Sequence, residues 1–155
     1  MLNFNEKNFE FTRTPFLISL TDSQDCTLKI VISPALVNPD RSSVETGNNT
    51  LDILLANASS IMPNDKILYE IEFENYILYR CITESYADDY LQDAQNGIYF
   101  YQTDKSDFLE NVKNTTFAQQ IFFNNEIKHY AFYTIDHVID VASPYEPTIN
   151  RILRK

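Results

Sequence analysis

The chain has 155 residues, with 12 Lys and Arg against 22 Asp and Glu, a formal charge of −10. So acidic a chain has little to neutralise phosphates with, which excludes general binding to DNA or RNA. Its apolar share of 44% excludes disorder, and its length fits one domain at about 150 residues per domain. Gly47 and Gly97 are the only glycines, so phosphate-cradling glycine loops are absent.

In chain order, the first 25 residues read as an extended lead-in with one strand over 16–20. A better strand covers 27–33, where Leu28, Ile30 and Ile32 alternate with Thr27, Lys29 and Val31. Pro34 ends it, because proline cannot donate to a ladder. Residues 34–50 are rich in Pro, Asn and Ser and predict a mobile loop. The apolar run over 51–56 fits a strand or a helical turn equally.

The clearest pattern starts after Lys66. Ile67, Tyr69, Ile71 and Phe73 fall on one face of a strand, and Leu68, Glu70, Glu72 and Glu74 on the other. Three carboxylates in a row must be solvated or meet a cation, since burying them unpaired costs several kcal/mol each, roughly. Residues 76–83 predict a further strand, either after a turn at Glu74-Asn75 or as one bent strand through Asn75. The polar stretch 85–95 predicts one or two helical turns. Asn96-Gly97 marks a turn, and 98–101 a strand. Ser106 is an N-cap candidate, with Asp107 and Glu110 in the first helical turn and Phe108, Leu109 and Val112 on the apolar side. Residues 127–134 and 137–142 predict a hairpin around Ile135-Asp136. Pro144 and Pro147 then end regular structure, and a basic tail follows. These elements predict an α+β fold: a mainly antiparallel sheet built from hairpins, with one or two short helices on one face.

Few residues point to chemistry. Cys26 and Cys81 sit in strand-like contexts and read as buried small hydrophobes, not as a disulfide or a thiolate nucleophile. His129 and His137 invite a metal pair, but a two-residue turn at Ile135-Asp136 sends them to opposite faces. The same register sets His129 diagonal to Asp140 on one face, the raw material of an oriented imidazole. Glu70/Glu72 and Asp88/Asp89 imitate a glycosidase carboxylate couple, but the chain is small and has no Trp for a sugar platform. No metal and no cofactor are expected. Neither a basic, apolar leader nor an apolar run of membrane length is visible, so the chain reads as cytoplasmic.

Charge distribution is more informative. Residues 65–110 hold eleven acids against three bases, −8 of the total −10. Tyr69, Tyr76, Tyr79, Tyr86, Tyr90, Tyr99 and Tyr101 are interleaved with them. An acidic field with aromatic anchors suits a basic protein partner, by steering encounter and selecting the partner. The opposing interpretation is a solvated acidic surface over core tyrosines.

From Lys66 onward the chain resembles a group of small bacterial proteins. The shared pattern is Phe73-Glu74-Asn75-Tyr76-Ile77-Leu78-Tyr79, then Thr83-Glu84-Ser85-Tyr86, then His129 to Val141 and Glu146-Pro147. That group looks like the small acidic immunity proteins that accompany polymorphic or contact-dependent toxins. The resemblance implies a cytoplasmic, non-catalytic, partner-binding role of the toxin-neutralising kind, and the acidic field then makes the expected partner a basic toxin domain such as a nuclease. The expected docking residues are Glu70, Glu72, Glu74, Glu84, Asp88, Asp89 and Asp93. The rival expectations are a small enzyme or ligand-binding domain on the His129/Asp140 face, or a structural subunit of a phage or surface assembly.

Overall fold

The computed structural model describes residues 9, 11–38, 45–87, 97–122 and 126–154. Its strands are β1 (Phe16–Asp22), β2 (Thr27–Ser33), β3 (Ala35–Val37), β4 (Ile61–Pro63), β5 (Ile67–Glu74), β6 (Leu78–Thr83), β7 (Phe100–Thr103), β8 (Lys128–Tyr133), β9 (His137–Ser143) and β10 (Thr148–Leu153). Its helices are α1 (Asn49–Asn57), α2 (Asp107–Thr115) and α3 (Ala118–Ile121). The fold is α+β, as the sequence predicts, and every strand pairing is antiparallel.

One sheet has the order β1-β2-β5-β10, and the other β6-β9-β8-β7. Alternation explains how they meet. Leu28, Ile30 and Ile32 of β2 and Tyr69, Ile71 and Phe73 of β5 are buried on one face of the first sheet. They share a core with Phe100, Tyr130, Phe132, Ile139 and Val141 of the second. Phe73 meets Tyr130 edge-on at 5.1 Å, a direct contact between the sheets. The outer face of the second sheet is covered by helix. Phe108, Leu109, Val112 and Ala118 pack with Ala142 and Ile127, a third layer. The outer face of the first sheet carries Lys29, Glu70 and Glu72, as an antiparallel sheet allows with one side in water.

The predicted hairpin over 127–142 forms in its predicted register. His129 lies opposite Ala142, and Thr134 N–H donates to the His137 carbonyl at 2.9 Å. Ser106 caps α2 as expected, its Oγ accepting the Leu109 amide hydrogen at 3.1 Å.

Several expectations change. Residues 73–79 make neither a hairpin nor one bent strand. Asn75 takes the left-handed backbone (φ 56°), a conformation Asn tolerates, and the chain leaves one sheet for the other. The loop predicted over 34–50 contains β3, which pairs with β4, and the start of α1, capped by the Asn48 side chain. Residues 39–44 lie outside the described residues. The run over 51–56 is helical. Of the helical turns predicted over 85–95, a 3-10 turn forms at Glu84–Tyr86, and 88–95 lie outside the described residues. Pro144 and Pro147 do not end regular structure. They shape the link to β10, which pairs with β5 over six residues. Cys26 and Cys81 are exposed free thiols, not core residues. Cys26 sits in the β1–β2 turn with φ 59°, and Cys81 is on an edge strand rather than a central one. Partial burial pushes the Cys81 thiol up, and the charge of Asp140 adds to this. No helix among the described residues is long and apolar enough to cross a membrane.

Candidate functional site

Among the described residues, two clusters of polar side chains stand out. The first lies between the second sheet and α2. β8 supplies His129, β9 supplies Asp140, the edge strand β6 supplies Arg80, and the start of α2 supplies Ser106. Asp140 is fully buried and accepts from Arg80 Nε at 2.6 Å and from His129 Nε2 at 2.7 Å. His129 Nδ1 lies 3.0 Å from Ser106 Oγ. A carboxylate only accepts, so Nε2 carries a proton. Ser106 Oγ accepts from Leu109, which leaves its own O–H to donate to Nδ1. The Arg80 guanidinium lies over the Phe108 ring at 5.0 Å, and Phe108 also tilts against His129 at 4.8 Å.

A Ser–His–Asp line is the arrangement of an acyl-transfer centre. Here its groups are committed to packing: His129 is 1% exposed, and the Ser106 hydroxyl caps a helix. The network ties the first turn of α2 to three strands. Ser106→Ala removes both the cap and the His129 bond. It is expected to cost about 1–2 kcal/mol, read as a lower urea midpoint with unchanged slope.

The second place is the outer face of β5 and the end of the sandwich beyond it. Glu70 and Glu72 lie 3.3 and 3.2 Å from Lys29 Nζ, and hydrogen bonds to Glu72 and to Glu70, with their charges, hold that ammonium above its usual range. Glu74 is exposed at the strand end. Glu72, Glu74, Asn75, Tyr145, Glu146 and Thr148 line an open concavity of about 340 Å³. Asp22 and Asp25 stand at the same end. Tyr76 Oη donates to Asp22 at 2.8 Å, and Asn75 N–H donates to the Cys26 carbonyl at 3.2 Å. Burial, with that Asp22 bond, pushes the Tyr76 phenol up to about 12.

Of the predicted docking residues, the structure gathers Glu70, Glu72 and Glu74 on one face. It sets Glu84 apart: its amide bonds the Asp136 carbonyl in the β8–β9 turn, and Ile135 there bonds Pro15, just before β1. That is the opposite end of the sandwich from Glu74, which pairs with Thr27. Asp88, Asp89 and Asp93 lie outside the described residues. Most described tyrosines of the acidic window serve the interior. Tyr69 is in the core, and Tyr76, Tyr79 and Tyr99 pack against it. Tyr86 is 85% exposed. Tyr145 and Glu146 escape sequence reasoning, because only the pairing of β10 with β5 brings them to Glu72 and Glu74.

His129 and His137 point to opposite faces, as the hairpin register predicts. Among the described residues no group of three or more His, Cys, Asp or Glu side chains is placed to hold a metal ion. Comparison of the chain with protein-family models, curated proteins and solved structures finds no match.

Proposed function

We propose that this chain is a non-catalytic binding protein of the toxin-neutralising, immunity type. It docks an acidic surface on a basic protein domain, such as a nuclease whose nucleic-acid site is positive. The observation that carries this reading is the concavity between Glu72, Glu74 and Glu146, flanked by the exposed Tyr145 ring. A carboxylate-lined hollow beside an aromatic face accepts a Lys or Arg side chain through ion pairing and cation–π contact. Exposed carboxylates around it speed encounter with a basic surface. The docking surface is therefore Glu70, Glu72, Glu74, Glu146 and Tyr145. Glu84 falls outside it, and Asp88, Asp89 and Asp93 enter from the sequence alone.

The test is to find a neighbouring reading frame that encodes a basic domain and to co-express the two chains. A stoichiometric complex that protects cells from that domain supports the proposal. Separate elution of the two chains, with toxicity intact, refutes it.

The second reading is a small enzyme on the His129/Asp140 face. The Ser106–His129–Asp140 line favours it, and the burial of His129 opposes it. Labelling of Ser106 by a serine-directed fluorophosphonate would favour the enzyme.

A further inference from the structure

Strands β3 and β4 and helix α1 form an arm on the first sheet. The chain leaves that sheet after Ser33 of β2 and rejoins it at Ile67 of β5, with Asn64 N–H donating to the Pro34 carbonyl at 2.8 Å. This is the end opposite Glu74, which pairs with Thr27 at the start of β2. Cross-strand partners share a face of a ribbon. Leu36 and Met62 therefore lie on one face of the β3–β4 ribbon, and Val37 and Ile61 on the other. All four are exposed, at 39–45%. An antiparallel sheet commonly buries one face, and this ribbon buries neither.

Helix α1 adds Leu51 and Leu54, three residues apart on one side, and Ile53. Leu54 is 63% exposed and Ile53 58%. Among the described residues, no residue of β3, α1 or β4 joins a buried cluster. A two-stranded ribbon and a helix of nine residues are each marginal in water without packing. The seven apolar side chains of the arm expose on the order of 600 Å², against the roughly 800 Å² that each partner gives to a standard stable interface. The arm is therefore large enough, and weak enough alone, to need a cover.

Charge decides what covers it. Copies of a chain with a formal charge of −10 repel one another. Residues 33–38 and 45–64 carry only Glu45 and Asp52, and Asp52 accepts from Thr46 N–H at 2.8 Å and from Thr46 Oγ1 at 2.6 Å. Two copies meet here with little repulsion. A basic partner gains no steering from so neutral a surface, and finds its carboxylates at the other end, on Glu72, Glu74 and Glu146. We infer that a second copy of the chain covers this arm, in a symmetric dimer built from the apolar sides of α1 and the β3–β4 ribbon. The area is below that of a standard interface, so the dimer is weak and concentration-dependent. Self-association and partner docking then use opposite ends of the sandwich.

Sedimentation equilibrium of the full chain tests it, over about 5 to about 500 µM and at NaCl from about 0.05 to about 0.5 M. The mean mass is expected to rise from one chain towards two. Salt should leave the dimer as tight or tighter, because it screens repulsion between acidic copies. Leu54→Glu and Met62→Glu should each weaken the dimer about tenfold or more, since two-fold symmetry buries each new carboxylate twice. Both side chains are exposed, so neither change should disturb folding. Ile121→Glu, at a residue 61% exposed on α3, is the control and should leave dimerisation unchanged. A single-chain mass at every concentration overturns the inference, as does a dimer lost at high salt or equally tight in Leu54→Glu and Met62→Glu. If the chain stays single and Leu54→Glu instead weakens binding to a basic domain or to neutral lipid vesicles, that partner covers the arm and the inference falls.

Discussion

Asp140→Ala is expected to destabilise the protein by about 3–5 kcal/mol, a large part of the roughly 5–15 kcal/mol that holds a domain folded. The carboxylate is fully buried and serves two donors, Arg80 at 2.6 Å and His129 at 2.7 Å. Their fates differ when it is removed. The Arg80 side chain is 39% exposed, so water recovers part of its loss. His129 is 1% exposed, so its Nε2 is left without a partner in a dry site. The cost should therefore lie towards the lower end of that range. It also reaches the third layer, because His129 holds Ser106 and with it the first turn of α2. Urea unfolding measures it. A double-mutant cycle with His129→Ala should show strong coupling between the two sites. A loss under about 1 kcal/mol would show that the network does not hold the helix to the sheet.

Phe132→Ala is expected to cost about 3–5 kcal/mol for a different reason. The ring is fully buried in β8. It meets Phe100 of β7 at 5.4 Å and Phe73 of β5, across the sandwich, at 6.0 Å, both edge-on. Deleting it removes apolar burial and leaves a cavity that two hydrogen-bonded sheets cannot collapse to fill. Phe132→Leu keeps most of the volume and should cost about 1–2 kcal/mol. The difference between the two variants measures how rigidly the sheets are held apart. Equal costs in urea unfolding would contradict a shared, close-packed core.

Local patterns in the sequence foretell local structure well. The alternation from Ile67 to Glu74 places Tyr69, Ile71 and Phe73 in the core and sets Glu70 and Glu72, half-buried against Lys29, on the other face. The turn at Ile135-Asp136 sets the register that joins His129 to Asp140. What fails is anything decided between distant segments. β10 hides behind two prolines in a tail that reads as merely basic, and its partner β5 is some 80 positions earlier in the chain. Periodicity carries no signal for such a pairing. Cys81 is misread because a strand's own residues do not say whether it lies at an edge. Tyrosines in an acidic window look like surface anchors. Yet Tyr69 and its neighbours fall on the apolar side of their strands, where a ring buries more area than a smaller side chain. The candidate surface was half legible. Glu70, Glu72 and Glu74 follow from strand period, whereas Glu146 and Tyr145 arrive only with the fold.

The proposed docking of a basic protein at the end of the sandwich around Glu74 and Glu146 depends on the exposed charge there. Stopped-flow over increasing NaCl measures the association rate with a basic domain identified by that co-expression. The rate is expected to fall steeply with salt, because exposed charges steer the encounter over a Debye length of about 10 Å at 0.1 M. Glu74→Lys with Glu146→Lys should slow association about tenfold at low salt and flatten the salt dependence. Glu84→Lys, at the opposite end, should change it far less. An association rate indifferent to salt, or unaltered by the Glu74 and Glu146 reversals, would rule out docking at this end.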